Sequence, residues 1–474
     1  MTRAIDPQIS FADLEFLYQG VQLDPILQAI SDLLEDHADL VELVRQDPER
    51  GLKNASTGRN GLTASQVLRS LILQRVKNLD YRELQERIAD GYTLRQFTDF
   101  YSQHVPKHDA FHRAFNRLTP QTLRAINDLL VEAAVDLGLE DGKKLRVDTT
   151  VVETNIHYPT DSTLLWDTVR VLTRLVQRLD GALPDGVGEF PDRTRSVRRR
   201  MQEMQRMTPK QRHDQQVPKY REILRRTEEV VQNACQVLER TKDPSGIDPR
   251  QDLLIRELHK EIAHYCQLGD SVIDQARRRV LQGEQVPTGE KIYSIFEPHT
   301  DLINRGKVQK PVEFGHKVFL AESANGLITQ YQVLDGNPSD QDHVEPSLQR
   351  HEEMFGQAPE LYSSDRGFAS KDNNNQKKCQ QAGVKLECIP QRGGKKTLQR
   401  ETYEKSSAFK KGQRFRAGIE GRISVLFRGR GMKRCRAAGR ERFELLVGAA
   451  VLANNLMKIA ELLRKKQQRH KRVA

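Results

Sequence analysis

The sequence predicts a mixed α/β protein: a sheet-bearing core, a large helical insertion within that core, and a helical domain ahead of it. Three observations carry this. Residues 61–140 place apolar side chains at helical spacing behind repeated cap signals. A β-branched run at 143–155 is followed by more strand-like runs only after Lys291. Between them, residues 165–285 read as amphipathic helices rich in Arg, Glu and Gln.

Taken in order, residues 1–60 read as an irregular lead-in with short helices. "TASQ" (63–66) is a capping box ahead of Val67, Leu68, Leu71, Ile72 and Val76. "DYRE" (80–83) starts a second helix, Thr93 lies near the start of a third, and "VPKHDAFHRAFNRL" gives a fourth. Thr119 and Pro120 fit the N-cap and first position of a long helix ending at Gly138. Short helices with tight turns suit a helix-turn-helix-like DNA-binding domain; a plain helical bundle fits the same pattern.

"KKLRVDTTVVETN" (143–155) then reads as a strand carrying Asp148, a residue type depleted in strands and in need of a partner when buried. The insertion that follows is broken at "LPDGVGEFPD" (183–192) and "KDPSGIDP" (242–249). Its run "RTRSVRRR" (193–200) suits a solvated helix face better than a set of phosphate contacts. After it, "KIYSIFE" (291–297) reads as a strand, and "EFGHKVFLAES" with "GLITQYQVLDG" as a hairpin turning at Ala324-Asn325-Gly326. "ELYSSDRGF" (360–368) is a strand ending at Asp365, "NNNQKKCQQAG" a short helix, and "VKLECIPQ" a further strand. Helix resumes from about Phe415.

Without the insertion, this order approaches that of a ribonuclease-H-like sheet: a three-strand meander, then parallel strands with crossover helices. The predicted domains are thus 1–60, the lead-in; 61–140, the helical DNA-binding domain; 141–164 with 286–463, the ribonuclease-H-like core; 165–285, the insertion; and 464–474, a basic tail. In such a sheet, acids on the first strand and at the end of the fourth lie side by side, and a following helix adds a third. Asp148, Asp365 and Glu420 occupy those points. Three carboxylates in one cleft repel unless cations intervene. Two Mg²⁺ ions, with Mn²⁺ as a substitute, would answer that need and serve an in-line displacement at phosphorus. Each acid also has a local structural alternative: a hydrogen bond to Asp148 from Thr150 or a nearby amide, a turn cap at Gly367 for Asp365, and an ion pair with Arg416 for Glu420.

Charge points the same way. The net is +11, but residues 391–474 carry 24 Lys and Arg against 6 Asp and Glu, a local +18, while residues 1–390 sum to −7. Such asymmetry suits a polyanion partner. Arg392, Lys395, Lys396, Arg416, Arg422, Arg428, Arg430 and Lys433 are the candidate DNA contacts. Five scattered cysteines with no CxxC pair argue against a disulfide framework or structural zinc, and suit a reducing cytosol. "MTRAIDPQIS" lacks a signal-peptide core. The apolar stretch 443–463 is interrupted by Asn454, Asn455 and Lys458, so a buried helix is expected there rather than a membrane span.

"LRVDTTVVETNIHYPTDSTLLWD", "GHKVFLAESANGLITQYQVLDGNPSD", "LYSSDRGF" and "RFRAGIEGRISVLFRGRGMKR" resemble, in turn, the first-acid region, the segment before the second acid, the second acid and the third acid of DDE transposases of bacterial insertion sequences, of the ISNCY-like group. The stretch from "LRSLILQRVKNLDYRELQERIADG" to "HRAFNRL" is similar to their DNA-binding domain. The resemblance implies the triad Asp148, Asp365 and Glu420, cleavage at the ends of the protein's own element, and joining of the freed 3′ ends to target DNA. It further implies double-stranded DNA as partner, a homodimer or DNA-assembled oligomer, and a cytoplasmic, nucleoid-associated protein. A related signature places Tyr three before Arg416 and Lys seven after Glu420; here those places hold Gln413 and Phe427. Two other readings are a ribonuclease-H-like nuclease that cuts without joining and a non-catalytic DNA-binding protein derived from a transposase.

Overall fold

The computed structural model describes residues 2–3, 13, 22–49, 59–242, 248–304 and 312–473. The chain divides into two compact units, 1–153 with 316–474, and 154–315. Much of the expected lead-in, and most of the expected break at 242–249, lie outside the described residues.

The first unit opens on α1 (Pro25–Asp36) and α2 (Ala38–Glu49), then α3 (Ala64–Lys77), α4 (Tyr81–Asp90), α5 (Tyr92–Phe97), α6 (His108–Phe115) and α7 (Pro120–Asp136). Their starts follow the cap chemistry. The Gln66 amide N–H donates to Thr63 Oγ1, and the Thr63 N–H to Gln66 Oε1, both at 3.1 Å. Asp80 and Glu83 repeat the box at α4, each cap being worth about 1 kcal/mol. Leu27, Ile30, Leu68, Ile72, Phe97, Phe111 and Leu130 form one buried cluster with Leu452, Leu456 and Ile459 of the last helix.

Strand β1 (Lys144–Thr154) follows. In the second unit, α8 (Asp161–Asp180), α9 (Thr194–Gln205), α10 (Pro209–Arg240) and α11 (Pro249–Ala276) pack around Leu172, Val176, Ile223, Val230, Ile262 and Val272. Gly269 allows a tight crossing, since a Cβ there would lie 2.8 Å from Thr168 Cγ2. Along "RTRSVRRR", Arg193 pairs with Glu229 and Arg200 with Glu222, while Val197 is buried. "KIYSIFE" is not a strand. The side-chain amide of Gln275 bonds both backbone groups of Ile292, and Ser294 Oγ accepts from the N–H groups of Phe296 and Glu297, so this backbone is satisfied without a ladder. The strand lies later, at β2 (Asp301–Asn304), antiparallel to residues 312–315.

The remaining elements are β3 (Val312–Ser323), β4 (Ile328–Val333), α12 (Val344–Phe355), β5 (Leu361–Ser363), α13 (Asn374–Gln381), β6 (Leu386–Cys388), α14 (Leu398–Lys405), α15 (Ser407–Gly429), β7 (Arg434–Cys435) and α16 (Arg440–Val473). The β3–β4 turn falls where expected, with Gly326 at φ +88°. Helix begins well before Phe415. Thr397 and Ser406 cap α14 and α15, and the anchors Tyr403, Phe409 and Phe415 are spaced so widely among lysines and arginines that the period is hard to read.

In the first unit the strands lie in the order β4-β3-β1-β5-β6, with β3–β4 antiparallel and β1–β5 and β5–β6 parallel; β7 pairs β1. The sheet is buried on both faces. Leu145, Val147, Phe319 and Ala321 meet Val344 and Leu348 of α12 and Cys379 of α13, whereas Val152, Val318 and Leu320 meet Leu426 of α15 and Phe443, Val447 and Val451 of α16. Helix α16 is long and apolar enough over Arg440–Arg469 to cross a membrane by length and composition, but 72% of its apolar 18-residue window is buried inside the protein. Its Asn455 accepts from the Ile328 N–H at 2.9 Å and donates to Asn127 Oδ1 at 2.8 Å, so the interrupting polar residues tie α16 to β4 and α7.

His351 on α12 is fully buried and donates from Nε2 to the Gly142 carbonyl at 2.8 Å, while Nδ1 has no hydrogen-bond partner among the described residues. Burial pulls its pKa from 6.5 to about 4, against the weaker opposing effect of the bond to Gly142. The folded state therefore binds fewer protons here than the unfolded chain. The stability this group contributes is complete above pH 6.5 and drains as pH falls toward 4. Urea titrations should show His351→Gln losing roughly 2–3 kcal/mol less than wild type across that window; parallel pH profiles would count against a neutral buried imidazole.

Candidate active site

Register brings the first two acids together. Arg146 on β1 lies opposite Ser363 on β5 in the parallel pair, and two residues further on Asp148, midway along β1, comes level with Asp365, just past the end of β5. Asp148 is only 8% exposed, on the face covered by α15. Its Oδ1 accepts from the Thr149 N–H at 2.8 Å, and its Oδ2 faces Arg416 Nη2 at 2.9 Å. Asp365 caps the turn Arg366–Phe368 by accepting from the Gly367 N–H at 2.8 Å, and its Oδ2 lies 3.8 Å from the same Arg416 nitrogen. Glu420, one turn along α15 and 67% exposed, sets Oε1 2.9 Å from Arg416 Nη1.

Three carboxylates from three separate elements thus converge on one guanidinium. The local alternatives are all present: a backbone bond at Asp148, a turn cap at Asp365, an i,i+4 pair at Glu420. None of them requires the convergence. Like charges this close repel, and the Arg416 cation offsets that repulsion.

Helix α15 holds this register through several contacts. Gly412 and Gly418 let it approach, since Cβ atoms there would collide with Cys388 Sγ and the Arg146 guanidinium. Gln413, where the related signature has Tyr, donates to the carbonyls of Ser364 and Cys388 and so grips the strand ends beside Asp365. Arg146 donates to the Phe415 carbonyl and pairs with Glu322 at 2.7 Å; Arg422 pairs with the other oxygen of Glu322 at 2.9 Å. Ile423 and Phe427 pack against the core.

A fourth acid went unread in the sequence. Asp340 accepts from Thr149 Oγ1 at 2.8 Å and pairs with Lys317 at 2.9 Å, and a Cβ on Gly367 would lie 2.7 Å from its Oδ2. Its only sequence signal was its place in "GNPSD", ahead of a helix.

The donor chemistry suits a hard divalent cation, because the Oδ1 atoms of Asp148 and Asp365 are oriented by backbone N–H groups while both Oδ2 atoms point at one cationic centre. Among the described residues, no group of three or more His, Cys, Asp or Glu side chains is gathered closely enough to hold an ion. Arg416 lies between the acids.

The candidate DNA contacts separate into two sets. Arg392, Lys395, Arg428 and Lys433 are exposed. Lys396 pairs with Glu404. Arg416 is engaged by the acids and Arg422 by Glu322 and Asn454. Arg430 is buried, donating to the Val76 carbonyl, and burial lowers its pKa.

Residues 16–117 match a family model described as a transposase domain (DUF772), which supports a transposase family. That match spans α1–α6 and stops short of the acid cluster. No curated protein and no solved structure matches the chain.

Proposed function

We propose that the protein is a DDE-type transposase that binds the ends of its own element, cleaves there and joins the freed ends to a target. The observation that carries this is the convergence of Asp148, Asp365 and Glu420 on Arg416. The strand order, with an antiparallel meander followed by parallel β1, β5 and β6, supports a ribonuclease-H-like core. The transposase-domain match supports the family and lends the N-terminal helices their proposed role in DNA binding.

Asp148, Asp365 and Glu420 would hold the metal. Divalent cations bound there, Mg²⁺ or Mn²⁺, would neutralise charge on the reacting phosphate and favour deprotonation of the attacking oxygen. The backbone N–H groups of Thr149 and Gly367 fix the two aspartates, and Gln413 holds the strand end, so the chain supplies prepositioned charge rather than covalent chemistry. In the first step water attacks a phosphodiester at the element end; the P–O3′ bond breaks and a 3′-OH is freed. In the second step that 3′-oxygen attacks a target phosphodiester, one P–O bond forming as another breaks. Two ends joined together call for at least two copies acting on DNA.

The test is purified protein with Mg²⁺ and DNA carrying the ends that flank its gene. Nicked ends and joined product are expected. Cleavage without joining would favour a nuclease, and binding without cleavage a DNA-binding derivative.

A further inference from the structure

A second site lies within the first unit, away from the acids. A cleft of about 880 Å³ opens between α3, α4 and α6 and the segment 431–442. Arg75 of α3 stands in its wall, with Nε buried and without a hydrogen-bond partner among the described residues. Lys433, Arg436 and Arg442 line the same cleft, are exposed, and form no side-chain ion pair among the described residues.

The acids nearby are already committed. Asp80 and Glu83 cap α4, and Glu153 pairs with Arg434 at 2.7 Å. A guanidinium whose Nε is desolvated, with no carboxylate partner among the described residues, carries a cost that a bound anion would offset. Burial lowers the Arg75 pKa, in keeping with that penalty. The ring of Tyr81, edge-on to His112 at 5.1 Å, adds a flat apolar surface to the cleft.

We propose that this cleft is a nucleic-acid subsite that seats a phosphodiester of a DNA strand, with Arg75 as its inner contact and Lys433, Arg436 and Arg442 at its mouth. An acidic peptide would meet the same charges. A strand is favoured because Arg75 belongs to the stretch that matches the transposase domain. The inference rests on the transposase reading and adds a strand contact outside the acid cluster.

The test uses the full chain, a short duplex carrying the flanking ends, and binding followed by fluorescence anisotropy across a salt series. Arg75→Met should fold with unchanged or raised thermal stability and bind on the order of tenfold more weakly. The slope of log affinity against log salt should fall by about one, the signature of one lost phosphate contact. A purely structural arginine would instead lose stability when replaced. The surface pair Arg436→Gln/Arg442→Gln, which leaves the core untouched, should lower the slope as well. Wild-type affinity and slope in both variants would overturn the assignment; if the wild type still nicks and joins its ends, the transposase reading survives that failure. A wild type that binds no duplex would end both. Stabilisation by inorganic phosphate alone that matches the effect of duplex, and depends equally on Arg75, would replace the strand with a small-anion site.

Discussion

Asp148→Asn is expected to abolish both nicking and joining, by on the order of 10³-fold or more, while leaving DNA binding close to wild type. The substitution keeps the shape and still accepts from the Thr149 N–H, so the strand is not disturbed. It removes the negative charge from the most buried acid of the cluster, where charge interactions are least weakened by water. Asp365→Asn and Glu420→Gln should behave alike, because their oxygens face the same guanidinium. A folded Asp148→Asn protein that cuts at the wild-type rate would remove Asp148 from the chemistry and return it to a structural role.

The second large effect is on stability. Glu322 is fully buried between Arg146 and Arg422, and Arg146 also stacks on the Phe415 ring at 4.8 Å. Glu322→Ala leaves two guanidinium groups beneath α15 without their carboxylate, which should cost about 3–5 kcal/mol in urea unfolding. The triple variant Glu322→Leu/Arg146→Met/Arg422→Met should recover most of that loss, since the penalty comes from the orphaned charges rather than from the missing volume. A small loss in Glu322→Ala would mean that α15 is held by its apolar face alone, through Ile419, Ile423, Leu426 and Phe427.

Much of this arrangement was legible in the sequence, where the signals are local. Thr63, Asp80 and Thr119 announce helix starts because a cap is satisfied within three residues. Asp148 stood out because an acid inside a β-branched run demands a partner. "KIYSIFE" has a strand's composition without its ladder, because Gln275 from the preceding helix and Ser294 within the segment satisfy its backbone instead. Helix α12 escaped notice because "VEPSLQRHEEMF" shows few apolar positions and carries Pro346. Arg416, Arg422 and Arg430 looked like surface phosphate contacts because composition reports charge and not its partner; only the folded chain sets them against the acids, Glu322 and the Val76 carbonyl. Asp340 and Arg75 were silent for the same reason.

Metal rescue tests whether Asp148 and Asp365 would hold the ion. Asp148→Cys and Asp365→Cys would each be assayed for cleavage and joining with Mg²⁺ and then with Mn²⁺. Mg²⁺ takes oxygen and shuns thiolate, whereas Mn²⁺ tolerates sulfur better. Contact of both side chains with the metal predicts no product from either variant in Mg²⁺ and restored cleavage in Mn²⁺. Activity in Mg²⁺ equal to wild type, or a folded, DNA-binding variant that neither metal restores while the wild type works in both, would contradict it.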